Sequence, residues 1–251
     1  MAAGILSIAL IGAIIGSFLN VVIHRLPRGE SLASPGSHCP ACGAPVKPYD
    51  NVPIVSWLVL RGRCRACGEP ISPRYPVVEL VTALAFAGIA LARGLDADLV
   101  MELPFAAVLI AVAGIDFDHR IIPNRILLPA AVFGLAAAVL VRTDDLPELC
   151  IAGAAAFLFL LLAALAYPAG MGMGDVKLAG VMGLYLGLSV IPAMFIAFLT
   201  GSLVGIGMMA REGAGARKKG VPFGPFLALG GLVALLFGPE LIDLYEDQFL
   251  S

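Results

Sequence analysis

Long apolar segments separated by short polar ones occupy most of the chain. The first covers residues 1–23, and others follow at about 77–92, 99–117, 126–141, 147–167, 176–189, 190–210 and 222–237. Each approaches the ~20 residues that an α-helix needs to cross a hydrocarbon core. The pattern predicts an all-α polytopic membrane protein with about eight transmembrane helices.

The number of transmembrane helices depends on how the segment 176–210 is divided. As a single helix it would be roughly 52 Å long, whereas a hydrocarbon core is about 30 Å thick. Pro192 and the Gly187–Ser189 region offer a break. We therefore predict two helices here rather than one.

The only long polar segment is 24–76. It contains nine prolines, which disfavour long helices: Pro27, Pro35, Pro40, Pro45, Pro48, Pro53, Pro70, Pro73 and Pro76. The chain is thus expected to divide into a first transmembrane helix at 1–23, a polar domain at 24–76 and a membrane-embedded domain at 77–241.

Composition and charge agree with this topology. The chain is 60% hydrophobic and 14% charged, against about 25% charged in soluble domains. With 24–76 in the cytoplasm, only Arg93 and Arg142 of the 16 basic residues fall on the outer side, as the positive-inside rule requires. The cytoplasmic ones are Arg25, Arg28, Lys47, Arg61, Arg63, Arg65, Arg74, Arg120, Arg125, Lys177, Arg211, Arg217, Lys218 and Lys219. Membrane lipid is the expected surrounding, and a net charge of −2 argues against a nucleic-acid partner.

Four cysteines form two Cys-x-x-Cys pairs, Cys39 with Cys42 and Cys64 with Cys67, each followed by glycine. Two such turns typically make a tetrahedral structural zinc site. The alternative, disulfides or redox dithiols, fits a cytoplasmic location poorly because thiols there are kept reduced. The sequence predicts a zinc site with four cysteine ligands in the domain 24–76, which would be a small cytoplasmic zinc domain.

Acidic residues near the apolar segments are the candidates for chemistry, since carboxylates are costly in lipid. Asp116, Asp175 and Glu79 are all expected at the cytoplasmic side. Two aspartates at one depth could activate a water and protonate a leaving amine. A helix start would favour ionised Asp175, and a helix end would leave the proton on Asp116. Gly172 and Gly174 would let a substrate backbone approach closely.

Each acid also has a simpler interpretation. Asp175 could be a plain N-cap, and Asp116 a solvated loop residue. Asp118 competes with Asp116, but two residues along a helix correspond to about 200°, so both cannot face one partner. We favour Asp116 because it is nearer the apolar segment.

These motifs together resemble the type IV prepilin peptidases, membrane aspartyl proteases with a GxGD motif. The resemblance covers nearly the whole chain. Its parts are Gly16–Pro27 at the start, the two cysteine pairs, Ser72–Leu80, Asp116 with Ile122-Pro123-Asn124, Gly172-Met173-Gly174-Asp175 with Lys177, and Pro222–Phe226.

The resemblance implies an enzyme of the bacterial cytoplasmic (inner) membrane with Asp116 and Asp175 as catalytic residues. It would cleave the basic leader of prepilins or pseudopilins at the cytoplasmic face. Members with the cysteine domain often also methylate the new N-terminal amine with S-adenosylmethionine, so both activities are expected here.

Two other classes of function remain open from the residues alone. Intramembrane acids could form a proton or ion relay in a transporter, although transporter sites usually lie near the midplane between repeats. A zinc-scaffolded assembly protein without catalysis would leave the two aspartates unexplained.

Overall fold

The computed structural model describes residues 1–167, 170–212 and 221–249. Within this part the regular structure is helical, with isolated bridges but no strand. The α-helices are α1 (Ala2–Arg25), α2 (Val55–Val59), α3 (Arg74–Arg93), α4 (Leu99–His119), α5 (Asn124–Val141), α6 (Leu146–Ala166), α7 (Met173–Leu186), α8 (Val190–Glu212) and α9 (Gly224–Phe249). The prediction of an all-α fold is confirmed, and the proline-rich segment contains only the short helix α2 and 3-10 turns.

Seven stretches of the described chain are long and apolar enough to cross a membrane, which confirms a multi-pass membrane protein. One of them, Met173–Arg211, has 39 residues. It is divided by a 3-10 turn at Gly187–Ser189 into α7 and α8. Gly187 has a φ of 55°, which glycine adopts readily. With this division, the predicted number of about eight is reached.

Contacts at the two ends of α7 and α8 show that the chain reverses there. At the turn, the Leu188 N–H donates to the Glu148 carboxylate at the start of α6 (3.0 Å). From the turn, α8 returns antiparallel to α9, because Gly238 lies against Ser189 whereas Gly201 lies against Phe226. α7 runs parallel to α9, because Gly231 lies against Met182 and Gly238 against Ser189, so α7 and α8 form a helical hairpin.

The chain divides into two compact units, Met1–Leu95 and Asp96–Ser251. In the first unit, α1 and α3 pack antiparallel around small residues: a Cβ on Gly16 would lie 2.7 Å from the Glu79 Cα. The Asn20 side-chain amide donates to the Tyr75 carbonyl (3.1 Å), which joins α1 to the first turn of α3. The predicted boundaries at 23, 76 and 241 stay a prediction.

The second unit places α4, α5 and α7 side by side. The rings of Phe105 and Tyr185 stack with centroids 4.2 Å apart, and the Tyr185 hydroxyl donates to the Ala130 carbonyl (2.7 Å). At the end of the unit away from Asp116, Arg142 pairs with Asp98 (2.8 Å) and the buried Glu102 (3.0 Å). These contacts fix the helices that carry the acidic residues described next.

Candidate active site and metal centre

Asp116 lies in the last turn of α4 and is only 5% exposed. Its Oδ2 accepts a hydrogen bond from the backbone N–H of Gly224, the first residue of α9, at 3.0 Å. Burial of a carboxylate requires such a partner. The start of α9 thus holds this acid at one end of the helix bundle.

Asp175 lies in the first turn of α7 and is half-buried. Its Oδ2 accepts the N–H of the N-cap residue Gly172 at 3.2 Å, so Asp175 is the third residue of a capping box and not the N-cap of the simpler interpretation. Gly174, the residue before it, packs against Ile122, which follows α4. Two acids from different helices therefore lie at the same end of the second unit.

The sequence predicted that helix dipoles would favour the ionised form of Asp175 and the protonated form of Asp116. The structure does not show this difference. Asp116 does lie at the end of α4, but its carboxylate faces the N-terminus of α9, where backbone N–H groups favour an anion. Asp175 faces the N-terminus of α7. Both carboxylates are therefore held by a helix start, so the helix dipoles do not distinguish the two acids.

The two competing acids have other surroundings. Asp118 is exposed, as the angular separation from Asp116 predicted. Glu79 is buried in the first unit, where its carboxylate accepts the Ile54 N–H at 2.7 Å. Burial and proximity thus favour Asp116 over Asp118 as the partner of Asp175.

Side-chain contacts join the two aspartate motifs. The Lys177 ammonium donates to the Asn124 side-chain oxygen at 3.0 Å. A Cβ on Gly174 would lie 2.8 Å from the Ile122 Cβ. Gly174 therefore serves packing against the first motif, rather than the approach of a substrate backbone that the sequence suggested.

An apolar groove of about 350 Å³ lies between α5, α6 and α7. Its floor includes Gly153 and Gly180, and Asn124 and Lys177 form its polar end. Lys177 and Asp175 both lie near the start of α7, so the groove reaches the same end of this helix. The groove lies along helices that cross the membrane, so apolar chains can occupy it.

Gly224 is the site residue that motif reasoning missed. The sequence places it in the segment Pro222–Phe226 of the family resemblance but assigns it no role, and no local pattern indicates that its N–H reaches Asp116, 108 residues earlier. A Cβ at this position would lie 2.7 Å from the Asp116 Oδ2 and 3.0 Å from its Cγ. Only glycine allows this approach without displacing the carboxylate.

We therefore expect Gly224→Ala to lower the rate of leader cleavage by about 10²-fold, since a displacement near 1 Å can have that effect. The measurement is single-turnover cleavage with matched amounts of folded protein. Gly205→Ala is the control, because a Cβ there meets nothing within 4 Å. Equal rates for both variants would contradict the role assigned to Gly224.

The four predicted zinc ligands converge in the first unit. The sulfur atoms of Cys39, Cys42, Cys64 and Cys67 all lie within 4.8 Å of one another, and those of Cys39 and Cys67 are 3.8 Å apart. A tetrahedral site with Zn–S bonds of about 2.3 Å requires sulfurs roughly 3.8 Å apart. Cysteine thiolates are also the ligands that zinc prefers. The cluster therefore fits a zinc ion.

The backbone explains why the sulfurs converge. Each pair forms the same turn: Gly43 donates to the Cys39 carbonyl and Gly68 to the Cys64 carbonyl, both at 2.9 Å. The two glycines have φ of 71° and 76°, which disfavours other residues. Backbone N–H groups of Cys67 and Ala66 lower the pKa of the Cys64 thiol, whereas hydrogen bonds with the neighbouring thiols raise the pKa of Cys67. A bound cation would favour the thiolate form at both.

Fold and site together define a multi-pass membrane protein with a cysteine cluster fit for metal and two aspartates at one end of a helix bundle. Residues 10–93 match the family model of the bacterial peptidase A24 N-terminal domain. Residues 103–206 match the family model of the type IV leader peptidase family.

Full-length relatives agree. Proteins named prepilin leader peptidase/N-methyltransferase match from Aeromonas hydrophila (36% identical, 96% of this chain and 93% of the relative), Bacillus subtilis strain 168 (37%, 96% and 97%) and Pseudomonas aeruginosa (33%, 96% and 93%). The chain belongs to the type IV leader peptidase family. No solved structure gives a significant match.

Proposed function

We propose that this protein is a prepilin leader peptidase that uses Asp116 and Asp175 as its catalytic pair. The observation that carries the proposal is that these two acids, from α4 and α7, lie at the same end of the second unit. The names of its relatives support the substrate class. The transporter hypothesis is less well supported, because the acids lie at a helix end rather than midway along the spans.

The chemistry follows from one proton shared by two carboxylates. The ionised aspartate takes a proton from a water held between the pair, and the resulting hydroxide attacks the scissile carbonyl carbon. The protonated aspartate then gives its proton to the amide nitrogen as the C–N bond breaks. The products are the leader with a free carboxylate and a mature chain with a free amine.

The location of cleavage follows from charge. Both aspartates lie at the end of the second unit that carries Arg120, Arg125 and Lys177. The positive-inside rule places that end in the cytoplasm. We therefore propose cleavage at the cytoplasmic face of the bacterial cytoplasmic membrane. Arg217, Lys218 and Lys219, which strengthen the same bias, lie outside the described residues.

The proposals for zinc and for S-adenosylmethionine rest on different observations. Zinc would be bound by Cys39, Cys42, Cys64 and Cys67 and would stabilise the polar domain, because four protein ligands leave no open coordination position. N-methylation of the new amine with S-adenosylmethionine is proposed from the family name alone. We assign no residue of the described chain to the methyl donor.

The direct test is incubation of the purified full chain with a prepilin in detergent, followed by mass spectrometry of the products. We expect loss of the leader mass in every case. A further gain of one methyl group should appear only when S-adenosylmethionine is added. An intact prepilin after prolonged incubation with folded, zinc-containing protein would contradict the peptidase proposal.

A further inference from the structure

The polar domain carries an apolar surface that faces outward. On the short helix α2, Val55, Leu58 and Val59 are 55%, 61% and 70% exposed, and the preceding Val52 is 46% exposed. We call these four residues the α2 apolar face. On the opposite side of the same helix, the polar Ser56 is buried. This is the reverse of the arrangement that water favours.

Hydrogen bonds hold α2 in the orientation that exposes its apolar face. The buried Ser56 hydroxyl donates to the Tyr49 carbonyl (3.0 Å) and accepts from the Val52 N–H (3.0 Å). The indole N–H of Trp57 donates to the Ile71 carbonyl (3.0 Å). With Ser56 and Trp57 occupied on the inner side, the α2 apolar face is directed away from the polar domain.

The residue before α2 is held in a strained turn. Ile54 has φ 63° and ψ −52°, and the Val55 N–H donates to the Pro53 carbonyl across it (2.6 Å). This is the γ-turn conformation with positive φ, which is rare and costly for a branched residue. The Ile54 N–H donates to the buried Glu79 carboxylate at 2.7 Å. Glu79 thereby fixes where α2 starts.

Glu79 also sets the depth of α2 in the membrane. It lies five residues, or about 7.5 Å, inside the start of the transmembrane helix α3 at Arg74. Its second hydrogen-bond partner, the Ser17 side chain, is two turns inside the end of α1. The Glu79 side chain leans toward the start of α3, which shortens this depth somewhat. Ile54, which bonds to Glu79, still lies alongside α1 and α3 rather than beyond their ends.

Charge agrees with a location at the bilayer surface. Arg61 and Arg63 follow α2 directly, and both are exposed. Apolar side chains next to arginines are typical of segments that lie in the interface, with the apolar groups among acyl chains and the arginines at lipid phosphates.

We propose that α2 is an interfacial helix, inserted into the cytoplasmic-side lipid leaflet through Val52, Val55, Leu58 and Val59, and held at that depth by the hydrogen bond from Ile54 to Glu79. The occupant of the apolar face is lipid. The proposal does not depend on the peptidase chemistry. The polar domain would then rest on the membrane surface rather than extend into the cytoplasm.

The chain supplies its own probe, because Trp57 on α2 is its only tryptophan. The full-length protein is reconstituted in vesicles of phosphatidylcholine and phosphatidylglycerol with brominated acyl chains, and Trp57 fluorescence is compared with that in unbrominated vesicles. Because Trp57 lies on the inner side of α2, about one helix width from the acyl chains, we expect partial quenching, greatest for lipids brominated near the headgroup end of the chain. Trp57 emission unchanged by any brominated lipid would overturn the proposal.

Four variants separate insertion from mere proximity. Leu58→Asp should lose most of the quenching, whereas Val46→Ser, at an exposed apolar residue outside the α2 apolar face, should keep it. Glu79→Leu should also lose quenching, while Glu79→Gln, which retains an acceptor for the Ile54 N–H, should largely keep it. One zinc per chain in each variant shows that the polar domain is folded.

A substrate surface is the competing occupant. In that case a prepilin would shield Trp57 from brominated lipid, or Leu58→Asp would weaken prepilin binding without changing quenching. Either result would overturn the assignment to lipid. Equal quenching in Leu58→Asp and the unmodified chain, with zinc retained, would do the same.

Discussion

Asp116→Asn and Asp175→Asn should each reduce leader cleavage by at least about 10³-fold, because removal of one member of a catalytic unit abolishes most of its effect. Neither substitution changes the volume of the side chain, so both proteins should fold and retain zinc. The double variant should be no slower than either single one, since the two acids act together. Single-turnover cleavage of a prepilin measures all three.

Asp118→Asn is the matched control for this prediction. It makes the same chemical change two residues away, at an exposed position, and should keep substantial activity.

The unmodified enzyme should show a bell-shaped dependence of rate on pH, with two apparent pKa values that belong to the pair. Normal cleavage by both Asp116→Asn and Asp175→Asn would rule out an aspartyl protease mechanism. An inactive Asp118→Asn with an active Asp116→Asn would instead move the catalytic role by two residues.

The sequence predicts best what depends on local pattern. Helix length against bilayer thickness predicted the break between α7 and α8, which the structure places at Gly187–Ser189. The 200° separation predicted that Asp116 and Asp118 cannot face the same partner, and in the structure Asp116 is buried whereas Asp118 is exposed. The two cysteine turns predicted a convergent cluster, because each turn is complete within a few residues.

Contacts between distant segments could not be predicted in this way. The bond from Gly224 to Asp116 joins residues 108 apart, and that from Ile54 to Glu79 joins residues 25 apart. The first of them changes the electrostatic argument, since it brings a helix N-terminus to an acid that the sequence places only at a helix C-terminus. Hydrophobic periodicity carries no information about either pair.

Loss of one cysteine ligand should have the largest effect on stability. Cys64→Ser should abolish zinc binding and unfold the polar domain between α1 and α3. Structural zinc sites contribute roughly 10–16 kcal/mol in small domains, as much as a whole domain's stability of about 5–15 kcal/mol. We expect elemental analysis to find no zinc and trypsin to cut rapidly after Arg61, Arg63 or Arg65. In the unmodified protein these cuts should be slow.

The fifth cysteine supplies the control. Cys150 is exposed on α6, in the other compact unit, so Cys150→Ser should keep one zinc per chain and the same resistance to trypsin. Chelation of the unmodified protein distinguishes zinc from disulfides. A chelator should release the metal and expose four thiols without any reductant, whereas disulfides would yield thiols only after reduction. If Cys64→Ser retained one zinc per chain and its resistance to trypsin, the cluster would not be the metal site. Cleavage by Cys64→Ser, if the second unit folds alone, should continue at a reduced rate, because Asp116 and Asp175 both belong to that unit.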